Sequence, residues 1–416
     1  MSSVAIRQDL PHFDVAAVRR EFPLLARSIR GKPLAYLDNG ASAQRPRMVI
    51  EAVDDYERHH HANIHRGVHT LSQEATALYE SARDRLVKFI GARSRHEIIF
   101  VRGTTEGINL VAQSCARPIL RPGDEVLITH LEHHANIVPW QMVCEQSGAK
   151  LVVAPMDQRG EVHTEAVEAL MGPRTRLLAC AHVSNALGTV LPVRRLTQSA
   201  RDRGIITLVD GAQAVPHMPV DVQALGCDFY VFSGHKVFGP TGIGVLYGRE
   251  SLLEIMPPWQ GGGDMILTVS FAKTTYNSLP HKFEAGTPNI SGAIGLGASV
   301  DFLGSLNLAA AHAHEAALLA HAHAVLGEID GLRFVGTAAE KASLVSFVLA
   351  GVHPHDLGTI ADEDGIAIRT GHHCAMPVME FFNLAATARA SFAFYNTHEE
   401  IDRLAAAVQR ARRLFA

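Results

Sequence analysis

The chain has 416 residues, which is long enough for two lobes rather than one core. Apolar residues make up 47% and charged residues 19%, and the net charge of −4 gives no electrostatic case for binding nucleic acid or an anionic membrane. No apolar run reaches the ~18 residues that span a bilayer, and residues 1–10 lack the apolar core of a secretory signal.

Short apolar runs alternate with helical patterns from about Pro33 onward. Because these runs show no polar alternation, they indicate strands that are buried on both faces. The series predicts an α/β domain with a mostly parallel sheet flanked by helices, in which ligands bind beyond the carboxyl ends of the strands. The predicted strands are residues 98–101, 125–129, 151–153, 177–181, 205–209 and 229–232. The predicted helices between them are residues 106–116, 138–145, 164–171 and 194–203.

The composition changes after Ile290. Residues 291–326 are rich in Ala, Gly and Leu and predict long helices, followed by a strand at 344–349 and helices at 378–382 and 398–415. We predict a large domain of residues 34–290. Beside it we predict a smaller α+β domain, formed by residues 1–33 and 291–416.

The positions of the cysteines and histidines lead to two further expectations. The five cysteines are far apart and include no Cys-x-x-Cys pair, so we expect no disulfide framework and a reducing cytoplasmic location. Histidines cluster at residues 59–61 and again between 312 and 323, without the spacing of a zinc site. We interpret both clusters as solvated helix-face histidines and predict no metal.

The predicted strand 229–232 ends at Ser233-Gly234-His235-Lys236, and a glycine-rich loop follows. A lysine at the mouth of a buried strand is costly to desolvate, and desolvation favours the neutral amine that forms a Schiff base. For Lys236 alone, the alternative is a surface lysine just past a strand end. The neighbouring motifs decide between the two.

Hydroxyl and imidazole side chains follow two of the predicted strands. Thr104 and Thr105 open a predicted helix, whose free backbone N–H groups suit a phosphate. An ordinary threonine cap is the alternative. Ser233 and His235 flank the lysine and can donate hydrogen bonds to the same phosphate.

Other strand ends supply a carboxylate and a flat ring. Asp210 ends the strand before Lys236, where a carboxylate suits a pyridinium nitrogen, although a turn residue is the alternative. His133 and Asn185 follow two further strands, and an imidazole placed there can stack on a flat ligand. The alternative for His133 is a loop histidine with a satisfied hydrogen bond. Together the phosphate cradle, Asp210 and Lys236 predict pyridoxal phosphate held by Lys236.

Cys374 lies in a loop bounded by Gly371 and Pro377, with two histidines and an arginine close in sequence. These neighbours favour its thiolate, which is the nucleophilic form. The alternative is a soft-metal site at His-His-Cys, for which a second set of ligands is missing. Arg369 and Arg389 can each clamp a substrate carboxylate by a bidentate pair, or else form ion pairs between the lobes.

With these motifs in view, the sequence resembles the cysteine desulfurases of the class V aminotransferase group and is most similar to the Suf-type (SufS-like) branch. The resemblance covers nearly the whole chain. One departure is Gly40, where the family usually has alanine, and we expect it to loosen the local backbone without removing activity. The matching stretches are residues 36–39, 65–72, 102–109, 132–140, 210–215, 233–244, 283–289, 369–377 and 389–399.

The resemblance implies a fold type I pyridoxal phosphate enzyme that works as a homodimer. It implies that Lys236 carries the cofactor, that Asp210 pairs with the ring nitrogen and that His133 stacks on the ring. Gln213 and Asn185 would contact the phenolic oxygen or the substrate. The residues that would bind the phosphate are Thr104, Thr105, Ser233 and His235.

The same resemblance implies contacts with the substrate and with a second chain. Arg389 and Arg369 would hold the carboxylate of L-cysteine, and Cys374 would accept the sulfur. Thr287 would reach the phosphate at the neighbouring subunit's site, and His65 would also approach a site across the dimer.

The predicted function is a cysteine desulfurase that converts L-cysteine to L-alanine and passes sulfur from Cys374 to an acceptor protein of the SufE or SufU kind, for iron–sulfur cluster assembly. Lys236 would move the α-proton, with His133 as a proton shuttle. A selenocysteine lyase with the same fold and lysine is the close alternative. A different class V enzyme is a more distant alternative, but it would give the motif at residues 369–377 no function. A non-catalytic scaffold that only docks partners is another, but it predicts that Lys236 or Asp210 would be missing, and both are present.

Overall fold

Two sheets organise residues 13–415, which is the part of the chain that the computed structural model describes. The prediction of no secretory signal rests on residues 1–10 and lies outside the described residues, as does the first part of the predicted small domain, residues 1–12. The strands are β1 (Ser28–Ile29), β2 (Lys32–Pro33), β3 (Ala35–Tyr36), β4 (Ile98–Val101), β5 (Glu125–Thr129), β6 (Lys150–Ala154), β7 (Thr175–Ala181), β8 (Ile206–Asp210), β9 (Phe229–Ser233), β10 (Gly244–Gly248), β11 (Ile266–Val269), β12 (Thr274–Tyr276), β13 (Leu332–Val335), β14 (Leu344–Leu349), β15 (Ile366–Ala367), β16 (Arg369–Gly371) and β17 (Thr387–Ser391).

Helices pack against both sheets, and asparagine side chains begin two of the longer ones. Asn289 and Asn307 each accept a hydrogen bond from a backbone N–H in the first turn of the helix that follows. The helices are α1 (Val15–Arg20), α2 (Arg47–Asp55), α3 (Thr70–Phe89), α4 (Thr104–Val111), α5 (Arg117–Ile119), α6 (Val138–Ser147), α7 (Thr164–Leu170), α8 (Val193–Arg201), α9 (Val222–Leu225), α10 (Glu250–Ile255), α11 (Ile290–Gly304), α12 (Leu308–Gly327), α13 (Pro354–Glu363), α14 (Met376–Phe381) and α15 (His398–Phe415).

The larger sheet has seven strands in the order β4-β10-β9-β8-β7-β5-β6. The pairs from β9 to β6 are all parallel, whereas β10 is antiparallel to both of its neighbours. Two strands that flank a common antiparallel strand run in the same direction, so β4 and β9 end at the same edge. The predicted mostly parallel sheet is confirmed, with one antiparallel strand that the sequence did not predict.

Alternate residues of each central strand enter different cores, as β9 illustrates. Tyr230 and Phe232 join the core that includes α3, α8 and α11, whereas Phe229 and Val231 join the core that includes α4 and α6. Full burial of such a side chain stabilises the fold by roughly 1.5–3 kcal/mol. A strand between two cores therefore has no polar face, which explains its continuous apolar run.

The smaller sheet is antiparallel, in the order β13-β14-β17-β16, and packs with α12, α13 and α15 around a third core. β3 pairs with β15 in parallel, so Ala35 and Leu37 belong to this core. Near the start of the described chain, Arg19 donates to the carbonyl oxygen of Tyr395 at 3.0 Å. The division into domains after residues 33 and 290 stays a prediction.

The helices differ from the predictions mainly at their ends. The helix predicted at 106–116 begins at Thr104 and continues after Val111 as a π-helical turn. The long helical region after Ile290 is split between Gly304 and Leu308. Within residues 13–415 no single helix is long and apolar enough to cross a bilayer. Only α11 and α12 together meet that length and composition, and they are bent by 87°.

Candidate active site

A cleft at the carboxyl edge of the larger sheet collects most of the residues that the sequence predicts for a site. β4, β5, β7, β8 and β9 all end at this edge. The predicted site residues on the cleft wall are Thr104, Thr105, His133, Asn185, Asp210, Gln213, Ser233, His235, Lys236, Arg369, Cys374 and Arg389.

Lys236 lies in the short helical turn Gly234–Lys236 that follows β9, and it lines the cleft. Burial lowers the pKa of Lys236 from its usual 10.5 to about 8, while the carboxylate of Asp210 acts in the opposite direction. A substantial fraction of this lysine is therefore neutral near pH 8. A neutral amine can form a Schiff base and can accept a proton.

Asp210 is the last residue of β8 and is 7% exposed. Its Oδ1 accepts a hydrogen bond from the backbone N–H of Ala212 at 2.9 Å. Burial raises the pKa of Asp210, whereas this hydrogen bond and Lys236 oppose the rise. The chain then turns at Gly211, where a β-carbon would lie 2.1 Å from the ring of Tyr230. The tight packing of this turn fixes the carboxylate inside the cleft.

The residues predicted to bind phosphate lie together where β4 and β9 end. The hydroxyls of Thr104 and Ser233 are 2.9 Å apart, and the backbone N–H of Thr104 also donates to the Ser233 hydroxyl. Thr104 begins α4, whose N-terminus attracts an anion. Burial lowers the pKa of His235 to about 4, so near neutral pH its imidazole is uncharged and carries one N–H donor.

His133 lies in the loop after β5, and its protonation state follows from its contacts. Its Nδ1 accepts a hydrogen bond from the backbone N–H of Ala135 at 3.0 Å, so the ring proton is on Nε2. Burial lowers the pKa of His133 to about 4. The adjacent Glu132 anchors the loop, because its carboxylate accepts from the side chains of Thr129 and Asn136, both at 2.6 Å.

Three buried polar atoms of the cleft lack a hydrogen-bond partner within residues 13–415: Oδ1 of Asn185, Nδ1 of His373 and Nε of Arg389. Leaving such an atom unpaired costs on the order of 1–3 kcal/mol. Their grouping in one cleft fits a site that a polar ligand completes. Together with Asp210 and Lys236, this set of polar groups fits pyridoxal phosphate and a substrate with a carboxylate.

Arg389 lies on β17 and is 2% exposed. Its Nη1 donates to the carbonyl oxygen of Asn185 at 2.8 Å, and its Nη2 donates to Asp38 at 3.2 Å. Arg369, on β16, lies 3.8 Å from the same carboxylate. A β-carbon on Gly40 would lie 3.3 Å from Cζ of Arg389, so glycine leaves room beside the guanidinium. The two arginines thus bring positive charge to this side of the cleft.

Cys374 is partly exposed, whereas the other four cysteines are buried. Burial raises the pKa of Cys115 to about 12 and of Cys144 to about 11, which keeps those thiols protonated. Cys374 follows β16, and both it and His373 adopt the left-handed backbone conformation, with φ of 54° and 53°. Asn185 donates to the carbonyl oxygen of His373 at 2.5 Å, which ties this loop to the cleft.

Thr287 is not on the wall of this cleft. It lines a neighbouring depression together with Arg102 and Trp259. The resemblance predicts that Thr287 acts at a neighbouring subunit's site. A position outside its own chain's cleft agrees with that role, which stays a prediction.

His65 also lies outside the cleft, and its ring contacts carboxylates. Its Nε2 lies 3.1 Å from Glu80 and its Nδ1 3.5 Å from Asp264. Within the described residues, His65, Glu80 and His281 form one group whose ligand-type atoms lie within 4.8 Å of one another, as a metal would require. Arg83 also pairs with Glu80, at 3.0 Å, so this carboxylate is neutralised by side chains.

The sequence indicated no role for Asp38 or His134, and it indicated His373 only as a neighbour that favours the Cys374 thiolate; the structure brings all three to the cleft or to its edge. Asp38 belongs to the matched stretch 36–39, but its contact with Arg389 spans 351 positions in the sequence. His134 and His373 each stand beside a residue that was predicted for the site. Adjacency to His133 and Cys374 was the available signal.

Comparison with known proteins agrees with this geometry. The family model described as aminotransferase class-V matches residues 35–404. A cysteine desulfurase of Serratia proteamaculans is 53% identical, over 97% of this chain and 99% of its own length.

Two solved structures have the same fold over nearly their full length. The Escherichia coli cysteine desulfurase CsdA, in its S-sulfonic acid form, has a TM-score of 0.90 at 43% identity and covers 97% of this chain and 100% of its own. The apo cysteine desulfurase of Thermococcus onnurineus NA1 has a TM-score of 0.91 at 38% identity, with 99% and 100% coverage. The chain therefore belongs to the class V aminotransferase family and, within it, to the pyridoxal phosphate-dependent cysteine desulfurases, as the sequence predicts.

Proposed function

We propose that this chain is a Suf-type desulfurase that converts L-cysteine to L-alanine, holds the sulfur as a persulfide on Cys374 and passes it to an acceptor protein. One observation carries the proposal. The partly exposed thiol of Cys374 lines the same cleft as Lys236 and the buried guanidinium of Arg389. A nucleophile, a proton-transferring amine and a carboxylate-binding group therefore surround one small volume.

The cofactor is proposed to bind at the carboxyl edge of the larger sheet. Pyridoxal phosphate supplies, when bound, an electron sink for negative charge at the substrate's α-carbon. Lys236 would anchor it, Asp210 would face its ring nitrogen and His133 its ring. Gln213 would contact the phenolic oxygen, and the phosphate would be held by Thr104, Thr105, Ser233 and His235.

The substrate is proposed to bind by its carboxylate. Arg389, assisted by Arg369, would bind that group through charge-assisted hydrogen bonds. Asp38 keeps the guanidinium of Arg389 in place by its contact at 3.2 Å. Lys236, in its neutral form, would then take the α-proton. His133 would supply the Nε2–H group that its tautomer presents, as a donor beside the reacting carbon.

The nucleophile of the sulfur step is a group that lines the cleft itself. The thiolate of Cys374 attacks the sulfur of L-cysteine, so that an S–S bond forms while the substrate's C–S bond breaks. The electron pair of that C–S bond stays with the β-carbon, which takes a proton. Lys236 returns a proton to the α-carbon, and the product leaves as L-alanine. Cys374 is left as a persulfide, and no external oxidant or reductant takes part.

The persulfide is proposed to leave through a partner protein. Partial exposure of Cys374 supports this, because an acceptor must reach the outer sulfur. We propose an acceptor of the SufE or SufU kind, acting for iron–sulfur cluster assembly in the cytoplasm. We also propose a homodimer, in which Thr287 and His65 approach the partner's site.

To test this proposal, the wild-type and Cys374→Ala holoenzymes are each incubated with L-cysteine. The wild type should release alanine and gain the mass of one sulfur atom on Cys374. The Cys374→Ala variant should show neither alanine release nor the added mass, while it keeps the visible absorbance of the bound cofactor. Cys144→Ala is the matched control, since that thiol is buried. Equal alanine and sulfide release by wild type and Cys374→Ala would contradict the proposal.

A further inference from the structure

We propose that His134 is a positioning residue for the nucleophile: it fastens the Cys374 loop to the larger sheet by two hydrogen bonds, which we term the His134 clamp. The proposal rests on the proposed persulfide role of Cys374. It adds a residue outside the expected set of cofactor and substrate contacts.

The Cys374 loop needs an external hold because its backbone is disfavoured. His373 and Cys374 have φ of 53° and 54°, a region that residues with a side chain rarely occupy in succession. Two internal hydrogen bonds shape the turn: the backbone N–H of Cys374 donates to Nδ1 of His372 at 3.1 Å, and that of Ala375 donates to the His372 carbonyl oxygen at 2.9 Å. Neither bond connects the turn to the rest of the fold.

His134 supplies such a connection at both ends of residues 374–376. Its backbone N–H donates to the carbonyl oxygen of Cys374 at 2.7 Å. Its ring Nε2 accepts from the backbone N–H of Met376 at 3.0 Å. Two bonds from one residue to the two ends of a three-residue segment restrict both its rotation and its translation.

The ring of His134 is in the protonation state that the second bond requires. Burial, and next the neighbouring His372, lower the pKa of His134, so its ring is uncharged at neutral pH. The hydrogen bond from the Met376 N–H then places the remaining ring proton on Nδ1 and leaves Nε2 as the acceptor. The two rings face each other with centroids 5.6 Å apart and an angle of 32° between their planes.

The clamp lies directly beside the predicted cofactor contact. His133 lines the cleft, and the next residue in the chain holds the nucleophile's loop. Asn185 holds the same loop from the end of β7, through the carbonyl oxygen of His373 at 2.5 Å. Loops after β5 and β7 of the larger sheet thus fix a loop that belongs to the smaller one. The position of the Cys374 thiol relative to the cleft follows from these contacts.

The test uses two substitutions of similar size. His134→Gln keeps an acceptor oxygen near the position of Nε2, whereas His134→Met has no comparable acceptor. In the holoenzyme, His134→Met should lower kcat for alanine formation from L-cysteine by about fivefold, the factor that corresponds to one net hydrogen bond. KM should be unchanged, and His134→Gln should restore kcat. Exchange of the α-hydrogen of L-alanine with deuterated solvent requires Lys236 but not Cys374, so it should be equal in all three proteins.

A second readout does not depend on turnover. Alkylation of Cys374 by iodoacetamide, without substrate, should be faster in His134→Met than in wild type or His134→Gln, because the loop is less restricted. Equal kcat and equal alkylation in wild type and His134→Met would overturn the clamp, and so would equal losses of kcat and of α-hydrogen exchange. If wild type forms no persulfide on Cys374 but the alkylation difference is present, the proposed function fails while the clamp stands.

Discussion

The guanidinium of Arg389 lies 3.2 Å from the carboxylate of Asp38, where the segment after β3 meets β17. Despite this pairing, burial lowers the pKa of Arg389 and raises the pKa of Asp38, so desolvation outweighs the attraction between the two ions. Nε of Arg389 has no partner within residues 13–415. A substrate carboxylate therefore offers this arginine a partner that the protein does not provide.

Replacement of that arginine tests the carboxylate site. Arg389→Lys keeps the charge but loses the planar fork, so we expect KM for L-cysteine to rise by about tenfold or more. Steady-state kinetics measures this, with the melting temperature as a check on folding. Cysteamine lacks the carboxylate and serves as the matched ligand: its inhibition constant should not change. An equal loss of affinity for cysteamine would show that Arg389 maintains the structure of the cleft rather than binding the substrate's carboxylate.

The proposed role of Lys236 as the cofactor-binding lysine can be tested against a second buried lysine. Lys236→Ala should abolish the visible absorbance of the lysine-bound cofactor. Lys341 is the control, because burial lowers its pKa to about 8 as well, and it does not line the cleft. Lys341→Met should therefore keep the absorbance. An unchanged spectrum in Lys236→Ala would remove the assignment of that lysine.

The lowered pKa of Lys236 predicts how cofactor loading depends on pH. The free amine is the nucleophile toward the cofactor's aldehyde, and the pKa of about 8 lies below the usual 10.5. The rate of reconstitution of the apoenzyme should therefore rise up to about pH 8 and then level off. An ordinary lysine would give a rate that still rises between pH 8 and 10. Stopped-flow absorbance at a series of pH values distinguishes the two profiles.

Mixed dimers test whether Thr287 acts across an interface. The mixed dimer pairs one Lys236→Ala chain with one Thr287→Ala chain. In a dimer of either variant alone, each cofactor site carries one defect. If Thr287 serves the partner's cofactor, a mixed dimer places both defects in one site and leaves the other native. Half of the wild-type loading with native affinity is then expected. If Thr287 serves its own chain, every site in the mixed dimer stays defective. Cofactor titration of the purified mixed dimer distinguishes these two arrangements.

The strands β4, β5, β7, β8 and β9 of the larger sheet were predictable because burial on both faces removes polar residues from them. The apolar run of β6 was predicted as a strand too, but burial on both faces was wrong there, since this strand at the edge of the sheet is partly exposed. β17 was not predictable, since its sequence Thr-Ala-Arg-Ala-Ser looks polar although all five residues are buried. Arg389 is the charged residue of this strand, and its burial with an unpartnered Nε fits the proposed binding of a substrate carboxylate.

The chemistry of the cleft was predictable to the extent that its residues follow strand ends. Lys236, Asp210 and Thr104 met this condition, and the family assignment confirms the fold class, the enzyme class and the cofactor. The pairing of Asp38 with Arg389 and the His134 clamp join segments that are distant in sequence, and no local pattern indicates them. The roles of individual residues, the Suf-type branch and the selenocysteine lyase alternative stay predictions.

The antiparallel strand β10 has a consequence for how the protein is made. Gly244 begins this strand, and a β-carbon there would lie 2.6 Å from the carbonyl oxygen of Phe232 and 2.7 Å from Cα of Gly103. The bare backbone at Gly244 thus lets the ends of β4 and β9 close around it, which joins Thr104 to Ser233, 129 positions apart. During synthesis, a nascent chain that stops before β10 would contain Thr104 and Ser233 but would lack the strand that pairs with both β4 and β9. Retention of the cofactor would then mark the chains in which the sheet has been completed.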